Sequence, residues 1–149
     1  MTRHDLSHWP LVVTLAQGPS SLPDMQAFID EWGRWLARGE PFATLRVFAD
    51  SAALEHPPGS APLAKQWLQQ QGEAIRRHVM GMATVVPPGD YERLRKMNAE
   101  KLFGVPAATF ADVTGALDWL RDRVYTPRGL ACDAEAILAA LGGLRSDAP

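Results

Sequence analysis

An acid, two hydroxyls and an imidazole fall within one stretch of eleven residues, Asp50-Ser-Ala-Ala-Leu-Glu-His-Pro-Pro-Gly-Ser60. These are the residue types of nucleophilic hydrolysis, in which a serine oxygen attacks, a histidine takes its proton and a carboxylate orients the imidazole. The roles would fall to Ser51 or Ser60, His56 and Asp50. The pattern stops short of a motif. There is no Gly-x-Ser-x-Gly elbow to expose a serine, and no segment supplies an oxyanion hole. Serine and aspartate are also the commonest helix caps, so Ser60 suits the start of a helix and Asp50 a hydrogen bond within the loop. Both serines are candidates for phosphorylation, which would set a charge of about −2 beside a helix N-terminus. Asp50, Ser51, His56 and Ser60 are therefore read as a ligand- or partner-binding loop, and hydrolysis ranks last among its uses.

The remaining reactive side chains are dispersed. His4 and His8 stand four residues apart, but no helix is expected there. Asp5 alone does not complete the three or four converging ligands that zinc needs. Cys132 is the single cysteine, which leaves no internal disulfide and no cysteine-based zinc site. No metal and no cofactor is expected. Residues 76–101 hold six basic side chains against three acidic ones, and residues 21–60 hold six acids against three arginines. That asymmetry suits contact between copies of the chain or an acidic partner, and its plainer reading is two solvated helix faces. With a net charge of −2 and no interleaved exposed aromatics, no nucleic-acid partner is expected. Of the five tryptophans, Trp32, Trp67 and Trp119 fall on or near apolar helical faces and read as core. Trp35 sits one step off its helix's stripe and Trp9 precedes a strand, so either is a candidate surface anchor for a partner or a hydrophobic ligand. Packing at the edge of the core is the plainer reading for both.

The elements that must position these residues alternate. Leu11–Leu15 is apolar and β-branched and reads as a buried strand. A helix follows over Leu22–Gly39, opened by Ser20, Ser21, Pro23 and Asp24 and ended by Gly39 and Pro41. Phe42–Ala49 is the second strand. Ala43, Leu45, Val47 and Ala49 point one way, and Phe42, Thr44, Arg46 and Phe48 the other. After the Asp50–Ser60 loop, a second helix runs to about His78. Met82–Val86 is a third strand and Tyr91–Phe103 a polar, basic helix. Ala107–Phe110 is a short edge strand, and a fourth helix is capped by Asp112 and runs to Val124. Cys132–Leu141 makes a short last helix with a narrow apolar stripe, which must dock on the domain or on a partner to be ordered.

This order, together with Phe42–Asp50, Gly81–Pro88 and the closing run Phe110-Ala-Asp-Val-Thr-Gly-Ala-Leu-Asp-Trp-Leu120, resembles the STAS domain of anti-sigma factor antagonists. The likeness is closer to its SpoIIAA-like (STAS/SEC14-like) branch, and covers about residues 9 to 124. The resemblance implies an α/β domain over residues 1–124, followed by an extension over 125–149. Its mixed sheet would have four to five strands, with four main helices largely on one side. It implies a binding or regulatory role rather than catalysis, and a phosphorylatable serine between the central strand and the second helix. Here that place is Asp50-Ser51, but the Ser-Gly that follows in the family is missing and Pro57-Pro-Gly59 extends the loop. The family's N-terminal strand hairpin is not evident either, since only Leu11–Leu15 reads as strand.

Length and composition fit these expectations. A chain of 149 residues suits one domain with a real core, and 46% hydrophobic with 21% charged residues is a globular balance. No apolar run approaches the roughly 20 residues of a membrane span, and the polar start lacks a signal core, so a cytoplasmic protein is expected. The favoured reading is a non-enzymatic module for a protein partner, centred on Trp35 and the start of the second helix. A carrier or sensor of a small hydrophobic ligand is the second reading. A hydrolase using the Asp50–His56 loop is the third.

Overall fold

The computed structural model describes residues 1–146. Five strands form one sheet in the order of the chain: β1 (Thr2–Asp5), β2 (Leu11–Ala16), β3 (Phe42–Phe48), β4 (Val79–Val85) and β5 (Ala107–Phe110). β1 pairs antiparallel with β2, and every later pairing is parallel. The chain is thus a single α/β domain on a mixed sheet. β1 lies in a segment that reads as polar, Thr-Arg-His-Asp, because an edge strand half-covered on its faces has no need of an apolar run. With β2 it forms the N-terminal hairpin.

The helices are α1 (Leu22–Ala37), α2 (Ser60–His78), α3 (Pro88–Leu94), α4 (Ala99–Phe103), α5 (Val113–Trp119) and α6 (Ala134–Ser146). α1 begins with a capping box: Ser21 Oγ accepts from Asp24 N at 3.2 Å, and Asp24 Oδ2 accepts in return from Ser21 N at 3.0 Å. The polar helix expected over Tyr91–Phe103 is two short ones. Asn98 caps the second of them by accepting from Lys101 N, and no buried stripe spans the gap to hold one continuous helix together. The fourth helix widens after Trp119 into a π-helical turn over Leu120–Tyr125, and α6 runs five residues beyond the expected Leu141. Among the described residues no helix is long and apolar enough to cross a membrane.

Helices cover both faces of the sheet. α1, α2 and α4 share one face, where Trp32, Trp35, Leu36 and Ile75 pack with Val12, Phe42 and Val79, and Phe103 packs against them. α5, the π-helical turn and α6 close the other face over Leu11, Val13, Leu15, Leu45 and Ala83. The expectation of helices largely on one side therefore does not extend to α5 and α6. The cause lies in the strands: β2, β3 and β4 carry apolar residues on both faces, and each face must be shielded from water. Close packing on the α5 side is marked by Gly81, where a Cβ would stand 2.6 Å from Val124 Cγ2.

Candidate functional site

β2, β3 and β4 run parallel, so their carboxyl ends share one edge, the place where open α/β sheets take ligands. Asp50 follows β3 on that edge. Its carboxylate caps a 3-10 turn over Ser51–Leu54, accepting from Ala53 N at 2.9 Å. It also accepts from Gly18 N at 3.0 and 3.1 Å. Gly18 lies in the loop after β2 with φ +68°, so Asp50 latches two neighbouring loops together. Ser51, exposed, donates from Oγ to Asp90 Oδ2 at 2.6 Å, and Asp90 also accepts from Arg93 at 3.0 Å. These bonds, that of Ser51 foremost, hold the Asp90 carboxyl below the usual carboxylate range.

The edge therefore gathers Asp50 and Ser51 with Asp90, which lies in the first turn of α3. His56 is exposed farther along the loop and makes no hydrogen bond to Ser51 or Asp50 among the described residues. In this geometry the loop holds no serine–histidine pair. Ser60 is 7% exposed, and the cap position before α2 belongs to Gly59 at φ +86°, with no side-chain cap. The expected capping role of Ser60 is thus corrected, and its burial also shields its hydroxyl from a modifying enzyme. Trp35 is corrected too. It is 2% exposed because α1's buried face is wide enough to include it with Trp32 and Leu36, so it presents no surface anchor.

An open groove runs between the first turns of α1 and α2. Leu22, Pro23 and Gln26 line one side, and Pro62, Leu63 and Gln66 the other, around a volume of about 480 Å³. It continues past Ile29, Trp67 and Gln70. Every side chain in this lining is apolar or an uncharged amide.

Beneath α1 lies a feature that no sequence motif announces. The strand registers place His4 opposite Thr14, Thr14 beside Arg46, Arg46 beside Thr84 and Thr84 beside Thr109. One polar row thus crosses all five strands on the α1/α2 face. His4 Nδ1 meets Thr14 Oγ1 at 2.8 Å, and its ring stacks on Phe28 and meets the Trp35 ring edge-on. Burial pushes the His4 imidazole down to about 4, with Glu31 pulling it up and Arg46 pulling it further down. His4 is therefore neutral at physiological pH. The Arg46 guanidinium carbon stands 4.5 Å from the ring centroid of Phe28 and 4.5 Å from that of Phe48. Burial lowers the Arg46 pKa to about 10, which keeps it charged at neutral pH. The sequence signal for the row is faint: β2, β4 and β5 each carry a lone polar residue, Thr14, Thr84 or Thr109, in an apolar run, and β3 carries two, Thr44 and Arg46.

Comparisons with protein-family models, with curated proteins and with solved structures found no match.

Proposed function

We propose that this chain is a non-enzymatic binding module that engages a protein partner through the groove between α1 and α2, with the Ser51 loop as its regulatory rim. The uncharged groove carries this reading. Its shape is open, which suits a helical or extended peptide segment better than an enclosed small ligand. Leucine and proline supply contact area there, and Gln26, Gln66 and Gln70 supply donors and acceptors that carry no charge to desolvate. The STAS-like order of elements agrees with a partner-binding role, and this is an argument by analogy. Ser51 adds the means of control. It lies in the connection that ends at Gly59 on the groove's wall, and a phosphate there would replace its hydrogen bond to Asp90 by repulsion between two anions.

The test starts from native mass spectrometry of the gently purified protein. A second protein in fixed ratio is the expected result. A photo-crosslinker at Gln66 should trap that same protein, whereas one at Leu138, on the exposed side of α6, should not. Leu63→Glu should weaken the complex by about tenfold or more, the usual consequence of setting a charge in an apolar contact. Equal trapping from both positions would sink the groove as the contact. A small adduct in place of a protein would turn the reading to a carrier or sensor.

A further inference from the structure

The polar row on the α1/α2 face carries an inference independent of the groove. Arg46 has no hydrogen-bond partner for Nε and no acidic side chain to offset its burial among the described residues. Glu31 of α1 pairs with Arg34, and Asp50 at the end of β3 accepts from the amides of Gly18 and Ala53. Among the described residues, the enclosed side-chain polar atoms without a partner are Arg46 Nε, Trp35 Nε1 and Trp67 Nε1. All three are N–H donors, and all three residues lie on this one face of the sheet. The face thus carries three enclosed donors that no acceptor on it satisfies.

Geometry adds a shape to that surplus. Two phenyl rings, one from α1 and one from β3 itself, hold the guanidinium in place, so its fork is oriented before any ligand arrives. Nε is enclosed, while Arg46 as a residue is only partly buried. In register on either side stand Thr14, whose hydroxyl is already bonded to His4, and Thr84. A planar, preoriented guanidinium fork with no protein acceptor is a donor set that binds the oxygens of a phosphate or carboxylate. We propose that Arg46, its guanidinium held by Phe28 and Phe48 and with Thr84 in register beside it, is a binding site for an oxyanion group, a phosphate monoester or a carboxylate, of a ligand.

The experiment is a titration of the ¹⁵N-labelled full chain, followed at the Arg46 Nε–H and the indole N–H signals. Inorganic phosphate and acetate are the probes, with ionic strength held constant by sodium chloride. The Arg46 signal is assigned by its loss in Arg46→Met, a change that removes a buried unpaired charge and keeps much of the volume. A saturable shift of the Arg46 signal with one probe is expected, with accompanying indole N–H shifts that titrate about tenfold or more weaker in Arg46→Met. Thr84→Val, which keeps the shape and removes the hydroxyl, should weaken binding by a smaller factor. A response to phosphate alone assigns the ligand group as a phosphate, and a response to acetate alone as a carboxylate. No saturable shift at Arg46 up to about 50 mM of either probe overturns the proposal, because a preoriented fork should bind well below that. An indole N–H shift with the same probe that persists unchanged in Arg46→Met overturns it equally.

Discussion

His4 shows how far a single side chain can depart from its appearance in the sequence. As one of two histidines four apart in a polar segment, it suggests a weak metal ligand at most. In the fold it is a neutral ring packed on Phe28 and Trp35 and hydrogen-bonded to Thr14. Its folded pKa, about 4, lies below the ordinary 6.5, so between those values the unfolded chain binds the extra proton and the folded one does not. Stability from this group is therefore full above pH 6.5 and is lost as pH falls from 6.5 toward 4. The loss is on the order of 2 kcal/mol once the partial exposure of the ring is allowed for. Urea denaturation of the wild type and His4→Gln at pH 7, 6 and 5 isolates it from the carboxylates. The gap between the two proteins should shrink as the pH falls, and a constant gap would refute the buried neutral ring. The sequence could not have shown this, because the environment of His4 depends on register. Thr14, Arg46 and Thr84 are visible as polar residues in apolar runs, but only the pairing of strands sets them side by side.

At the scale of elements, the sequence was informative wherever the local signal was strong. The apolar runs of β2, β3 and β4 and the cap of α1 stand where expected, since burial on both faces and a Ser-x-x-Asp box are properties of a few adjacent residues. Legibility fails where long-range contact decides. β1 exists because β2 offers it an edge, and Trp35 is buried because α1 meets both the hairpin and its neighbouring aromatics. The candidate loop is intermediate. Asp50 and Ser51 are recognisable as residues at the end of a strand, yet their partners Gly18 and Asp90 come from two other connections. The latch at Asp50 gives a direct check. Asp50→Ala should cost about 1–2 kcal/mol, the usual loss for a cap that also satisfies a second backbone amide. Hydrogen exchange at Gly18 and Ala53 should accelerate together, joining two loops that are 32 residues apart in sequence. An unchanged urea midpoint with unchanged exchange at both amides would mean that Asp50 does not tie these loops.

For the whole molecule, the central question is whether the last helix belongs to the fold or waits for a partner. Ile137, Leu141 and Leu144 of α6 lie in the same cluster as Leu11, Val13 and Leu15, and β2 is buried along its whole length because α6 covers one side of it. Burying those three side chains contributes about 5–9 kcal/mol in total. The net stability of a domain is only about 5–15 kcal/mol, so the opposite face cannot hold the sheet by itself. A chain cut after Leu130 should therefore lose its cooperative urea transition and expose apolar surface to a dye such as ANS. Leu141→Ala, a gentler change at a position 1% exposed, should cost about 2–5 kcal/mol while keeping a single transition. The two variants separate the alternatives. If residues 131–149 serve only to dock on another molecule, the cut chain will unfold as cooperatively as the full one and Leu141→Ala will be silent. If α6 is a structural layer, both will show the loss, and the α1/α2 face, with its groove and its buried arginine, is left as the side of the sheet on which a partner or ligand is met.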